Sequence, residues 1–379
     1  MRGILVKLFT IGLLLVPFKV EALELGEKLS LEANLTWVHQ WLQKKRGDFK
    51  DKDRGSAVVD ATLSFKPTQV DEFALRASFA KENGLKKINP FSLSPNADDL
   101  RDDLHNINGR ARDHLLELWY ARSFTLPGNS TLKATLGIID ATAFIDDNRF
   151  ANDELTQFMN EAFVNNPLAN LVSYDYGIAL EFEKGPFHLR ALGMQSKTDY
   201  PTDDTYNYYA LQVGVRSETS LGEGNYRLYG FTTNKRFPDW HKKKKKALKG
   251  WGISIDQDLI KERLGFFLRA GFQSDKAEVD YKSMCSLGFE IKPFSLLNRR
   301  PVLGLGYSYL KAPSKNEELK HTKVLEAYLS IPIYEVEKKL ATHFTLDWQF
   351  MKDRLKPSDP SDPKERSGHI FGMRVNLAF

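Results

Sequence analysis

Cysteine is nearly absent from this chain: Cys285 stands alone, so no disulfide within the chain can hold the fold, even in an oxidising compartment. A large charge excess is lacking too, since 54 basic and 49 acidic side chains leave only +5 at pH 7. That is too little for a nucleic-acid-binding protein. Beyond the N-terminus no stretch approaches the ~20 apolar residues of a transmembrane helix. Enzyme signatures are missing as well: there is no G-x-S-x-G elbow, no H-E-x-x-H, no phosphate-binding loop and no cysteine cluster. No chemistry, cofactor or metal is expected. With 42% hydrophobic residues the chain is not a disordered one. It is either soluble or a β-barrel, whose spans average polar because only one face of each strand meets lipid.

What is present begins with an export pattern. Arg2 and Lys7 precede an apolar run over 8–18, and Val20-Glu21-Ala22 supplies small residues at the −3 and −1 positions of a signal-peptidase site. About eleven residues are too few to span a bilayer, and Pro17 would break such a helix. A cleaved signal over 1–22 is therefore expected, followed by a single barrel domain over 23–379.

The dominant pattern is alternation with period two. Leu29, Leu31, Ala33, Leu35 and Trp37 share one face, with Ser30, Glu32, Asn34 and Thr36 on the other. The same pattern recurs through Phe73–Phe79, Tyr174–Phe182, Tyr209–Val215, Leu264–Phe272, Leu325–Ile331 and Phe371–Phe379, giving about sixteen strands. Connections alternate as in outer-membrane barrels. Those over 66–70, 125–129, 184–186, 219–223, 259–262, 293–298 and 334–338 are short. Those over 42–56, 82–112, 141–172, 197–206, 234–250, 274–282, 312–322 and 352–366 are longer and polar. The terminal Phe379 resembles the strand signature read by the outer-membrane barrel assembly machinery. The expected fold is all-β: a transmembrane antiparallel β-barrel with its long third external loop, 141–172, folded into the lumen.

If the apolar phase meets lipid, the lumen is lined by the other phase, which mixes Arg76, Lys133, Arg190, Arg216, Arg227, Arg263, Arg269, Lys292 and Arg374 with Glu32, Asp60, Glu72, Glu181, Glu183, Glu290, Glu326 and Asp347. Such groups need water or partners, and sixteen strands enclose more space than side chains fill. The third external loop carries Asp146, Asp147, Asn148, Arg149, Asn152, Asp153, Glu154 and Gln157 among Phe144, Phe150, Phe158 and Phe163. Aromatics in this number suit a loop packed on the inner wall, its polar groups turned to the aperture.

Here Gly137-Ile138-Ile139-Asp140, then Phe144 through Asp153, then Thr156-Gln157-Phe158, resemble the signature of the carbohydrate-selective porins of the OprB family. Leu115 to Tyr120, with Glu117 and Trp119, is similar to the strand that precedes it there. The specific match covers roughly 115–172. The resemblance implies a sixteen-stranded outer-membrane barrel of a Gram-negative-type bacterium that passes glucose and other sugars by diffusion, its third external loop narrowing the channel. Ile138 departs from the pattern, because the family often has a basic residue there.

Sugars present many hydroxyls and a less polar ring face, so charged side chains can bond hydroxyls in pairs while an aromatic stacks on the ring. Glu117 and Trp119 share one face of their strand, opposite Leu116, Leu118 and Tyr120, and are expected to line the pore. Arg76, Arg190, Arg269, Asp347 and Arg374 on the wall and Asp146, Asp147, Asn148, Arg149, Asn152 and Asp153 on the loop complete the candidate set. The lysine run 242–246 suits contact with outer-membrane lipid and lipopolysaccharide, or simple solvation, better than nucleic acid. An anion-preferring or general porin and a barrel hydrolase are the alternatives. The sequence leaves open which sugar passes and whether barrels associate as a homotrimer.

Overall fold

Alternating side chains lay down a sheet with one apolar and one polar face, and in the computed structural model that sheet closes on itself. The structure describes residues 26–96, 104–198, 204–292, 300–336, 340–357, 359 and 361–378; the expected signal over 1–22 and the terminal Phe379 lie outside them. The barrel strands are β1 (Leu29–Arg46), β2 (Lys52–Phe65), β3 (Asp71–Lys81), β4 (Leu115–Leu126), β5 (Ser130–Ile139), β6 (Asp175–Lys184), β7 (Phe187–Lys197) and β8 (Thr205–Thr219). The second half comprises β9 (Gly222–Thr233), β10 (Lys249–Ile260), β11 (Leu264–Gln273), β12 (Ser283–Ile291), β13 (Val302–Lys311), β14 (Leu319–Val336), β15 (Leu340–Leu355) and β16 (Glu365–Ala378). Every strand pairs antiparallel with its sequence neighbours, and β1 closes the ring against β16.

The closing register keeps the two faces separate. Leu35 lies opposite Val59 on β2 and Leu377 on β16, and Trp37 lies opposite Ala57 and Val375. Leu35, Val59, Phe73, Leu136, Ile178, Leu211, Trp251 and Phe371 are all exposed on the outside. A belt of this size is disfavoured in water, at about 25 cal/mol per Å² of apolar surface, and is the face a transmembrane barrel turns to lipid. The opposite phase, including Gln40, Gln212, Ser254, Asp256, Ser308 and Gln349, is buried inside.

One end of the barrel is tight. Its turns include 127–129, 185–186, 220–221 and 261–263, with Gly128 and Asn129 at φ +75° and +53°, the left-handed geometry that a short hairpin requires. The other end carries 82–96 and 104–114 between β3 and β4, and the long segments 140–174 and 234–248. The first connection there corrects the expectation of a long loop over 42–56. The β1–β2 ladder runs to Leu42↔Lys52, and β1 itself continues to Arg46 against Ser367 of β16, leaving only 47–51 between the ends of β1 and β2. Backbone hydrogen bonds extend a strand past its last apolar side chain, so polarity alone truncates it.

Candidate functional site

Inside the barrel, the segment joining β5 to β6 leaves its own strands and reaches the far wall. Its short turns are held by side-chain caps: Asp140 accepts from the Thr142 N–H, Asn160 from the Ala162 N–H and Asn166 from the Leu168 N–H. Lacking a regular ladder, its remaining backbone groups need partners elsewhere. The inward residues of β8 to β16 supply them.

Arg269 on β11 is fully buried and forms an ion pair with buried Asp146 at 3.1 Å. Its guanidinium also donates to the carbonyls of Ala151, Phe163 and Asp146. Arg374 on β16 donates to the carbonyls of Glu154 and Gln157. Glu326 on β14 accepts from the Met159 and Asn160 N–H groups at 2.6 and 3.1 Å, and Gln349 accepts from Asn160 Nδ2 at 2.9 Å. Gln212 on β8 accepts from the Asp146 N–H at 2.8 Å, while Asn148 donates to Ser254 Oγ and the Ile255 carbonyl. Of these, the bonds made by Arg269, Arg374 and Glu326 involve charged groups in a low-dielectric interior and are individually among the stronger ones.

The apolar side of the loop has seats on the same wall. Phe158 and Phe163 pack edge-on to Phe267, and Phe158 does the same to Tyr328. The seats are inward-facing glycines. A Cβ at Gly265 would meet the Phe150 ring at 2.2 Å, one at Gly306 would meet Phe163 and Phe158 at 2.8 and 2.9 Å, and one at Gly271 would meet Asn166 at 2.3 Å. Absent side chains on β11 and β13 thus make room for present ones on the loop.

A second inward segment, missed from the sequence, follows β3. The Pro95 carbonyl accepts from both Gln40 and Gln349, Asp353 accepts from the Ser92 N–H, and Glu161 accepts from the Ser94 N–H. Residues 83–96 therefore lie on the 140–174 segment and fasten it to β1 and β15. The polar composition of this stretch hid it, because only Leu85, Phe91 and Leu93 signal burial.

A lateral ladder of charges completes the filled side. Arg190 pairs with Glu181 and Asp147, Arg227 with Asp147 and Asp256, and Arg149 with Asp256, Asp258 and Glu223. Burial pushes the Asp147 carboxyl upward, but Arg227 and Arg190, with a Gln212 hydrogen bond, more than offset this and hold it below the ordinary 3.8. Glu161 has the opposite balance: burial raises it above the ordinary 4.5 against the Ser94 N–H and Lys86.

Space remains on the other side, between the loop and β1 to β5. One cavity of about 270 Å³ is lined by Arg76, Glu117, Trp119 and Asp60 from the wall and by Leu155 from the loop. A neighbouring one of about 400 Å³ also borders Arg76, with Asn152, Asp153, Glu154 and Asp140. Arg76 lies 3.4 Å from Glu117, whose other oxygen accepts from the Trp119 indole at 3.0 Å, and Lys133 sits over the same indole at 5.7 Å. Trp119 is thus locked by both neighbours with its ring toward the gap.

Of the candidate residues, the structure brings Arg76, Glu117, Trp119, Asn152 and Asp153 together around this gap. It places Arg269, Arg374, Asp146, Asn148, Asp347, Asp147, Arg149 and Arg190 in or beside the contact between loop and wall, with Asp347 accepting from Gln349. Leu116 leaves the lipid-facing phase expected of it: the register shifts between Arg76 and Ala77, and Leu116 packs with Leu104, Ile107 and Tyr174.

A sixteen-stranded antiparallel barrel whose long loop is bonded across its interior defines the porin class of fold. The chain superposes on OprB of Pseudomonas putida in its high-pH structure with a TM-score of 0.68 and 12% identity, covering 93% of this chain and 94% of that one. The outer-membrane channel DcaP of Acinetobacter baumannii gives a TM-score of 0.56 at 11% identity over 93% and 97%. No family model matches the chain. An uncharacterized protein of Aquifex aeolicus (strain VF5) is 30% identical over 332 residues, 86% of this chain and 90% of that one. The chain belongs to the same family as that protein.

Proposed function

We propose that the protein is an outer-membrane porin for passive, selective diffusion of carbohydrates, glucose-like monosaccharides or small oligosaccharides. The observation that carries this reading is the gap in which Trp119 and Leu155 stand on opposite lips while Arg76, Glu117, Asn152 and Asp153 rim it. An indole offers a flat apolar face to a sugar ring, and the surrounding carboxylates, amide and guanidinium exchange hydrogen bonds with hydroxyls. Replacing part of a solute's hydration in this way speeds entry only if each contact is weak enough to release it. The overall likeness to OprB supports a porin in an outer membrane, and in this reading the loop 141–172, bonded to the far wall, is its constriction. Arg149, Arg190 and Arg227 are each matched by carboxylates, so they lend no surplus positive charge to an anion-preferring reading.

The test is swelling of proteoliposomes in isosmolar glucose, in a larger sugar and in a size-matched amino acid. Glucose enters faster than the amino acid if the reading holds. Trp119→Ala then lowers that preference about 2- to 12-fold, the range for losing one aromatic contact of 0.5–1.5 kcal/mol. Equal rates governed by size alone would leave a general porin.

A further inference from the structure

The outer surface of the barrel carries a depression that the permeation path does not use. On β9, Gly230 faces outward between Leu211 of β8 and Trp251 of β10. Lacking a side chain in a row of large ones, it leaves a trough of about 700 Å³ whose walls include Val213 and Leu228. The trough runs on toward the loop end as a second depression of about 370 Å³, bordered by Lys249, Trp251, Phe272 and Ser274. There the chemistry changes from apolar to cationic. Lys249 is exposed, and no carboxylate among the described residues pairs with it. Lys282 lies over the outward Phe272 ring at 5.9 Å, with Asp275 3.9 Å away. The lysine run 242–246 precedes Lys249 in the loop joining β9 to β10 and is mostly exposed, with Lys245 paired to Asp204.

From this juxtaposition we infer that the face formed by β8 to β12 is a binding site for a phosphate-bearing lipid of the outer leaflet, one acyl chain lying in the Gly230 trough and its phosphate between Lys249 and Lys282. The inference rests on the reading that the barrel stands in an outer membrane with its loop end outward. Charge complementarity selects this occupant. A second copy of the barrel would bury Lys249 against an apolar belt, whereas an anionic headgroup neutralises it and the chain below fills the trough. A lysine near an anionic lipid surface is worth about 1 kcal/mol, or about fivefold in affinity.

The experiment is native mass spectrometry of the purified full chain in detergent, titrated with a bis-phosphorylated acylated glucosamine disaccharide and with its dephosphorylated form. The wild type retains the phosphorylated lipid at least tenfold better. In the double variant Lys249→Gln, Lys282→Gln that discrimination falls to about unity. Gly230→Phe fills the trough and lowers retention of both forms; a Cβ there meets only the Gly250 carbonyl, at 3.7 Å, so the barrel tolerates it. Equal retention of both forms by the wild type, or unchanged retention in Gly230→Phe, overturns the inference. So does an oligomeric mass that Gly230→Phe reduces to a single barrel, since the trough would then be a contact between copies. Sugar swelling of the same variants stays at the wild-type rate, so failure of the lipid site and failure of the porin reading are separable.

Discussion

Two arcs of one barrel wall start from the same alternating pattern and end in different states. Along β8 to β16 the inward polar face is covered: Arg269, Glu326 and Arg374 are buried and bonded to the backbone of a loop that arrives from β5, and buried Gln349 is bonded to that loop's Asn160 side chain and to the Pro95 carbonyl. Along β1 to β5 Arg76, Glu117 and Trp119 keep partial exposure toward a gap. The difference teaches that a lumen-facing charge has no fixed role. Where a loop brings orphan N–H and C=O groups, an arginine or glutamate is spent in satisfying them; where none arrives, the same residue type is left for water and solute.

The comparison breaks most severely at Arg269. Arg269→Ala leaves Asp146 buried without its ion-pair partner and removes the donor to Ala151 and Phe163, so it is expected to cost about 3–5 kcal/mol, as for other severed buried pairs. A lowered unfolding temperature in detergent and a several-fold rise in single-channel conductance, as the loop leaves the wall, would register it. Unchanged conductance would mean that the loop stays seated without this residue. Second in size is Gly265→Leu, which overlaps the Phe150 seat and costs about 1–3 kcal/mol by overpacking; channel noise should increase along with the thermal shift.

Arg76→Ala sharpens the contrast from the open side. Arg76 is itself part-exposed and pairs with Glu117 at 3.4 Å and more loosely with Asp60 at 3.9 Å, so the melting shift should be smaller than that of Arg269→Ala while solute entry rates change. A loss as large as that of Arg269→Ala would erase the distinction between the arcs. The smallest effect belongs to Glu161. Its carboxyl is raised above 4.5 in the docked loop, so the neutral form is favoured there. The stabilisation it lends to docking is full below about pH 4.5 and is lost as pH rises through the raised value. Acidification from pH 7 should therefore tighten the loop slightly, and Glu161→Gln, neutral at every pH, should flatten that dependence in conductance recordings.

Much of this architecture was legible because it is local. Period two follows from the pleat, so Leu35, Trp37 and Leu211 declare an outward face and Arg76, Gln212 and Asp347 an inward one without knowledge of any neighbour. The loop's aromatics announced that it needed a wall. The wall's answering signal was also present and unread: Gly265 and Gly306 sit in the lumen phase of strands that otherwise carry side chains there. Leu116 was misplaced because a bulge exchanges faces without any mark in the pattern. The inward course of 83–96 was missed because its anchors, Gln40, Gln349 and Asp353, look like ordinary lumen polar residues until the chain meets them.

The sequence by itself determined the number and order of the strands and the face that side chains take wherever the ladder is regular, since these depend only on pleat geometry and on the transfer of apolar groups out of water. Which of the inward charges remain open to solute was decided only by the tertiary structure. Arg374 and the Glu154 carbonyl are 220 positions apart, and no periodicity within a strand encodes a partner that a loop carries across the barrel.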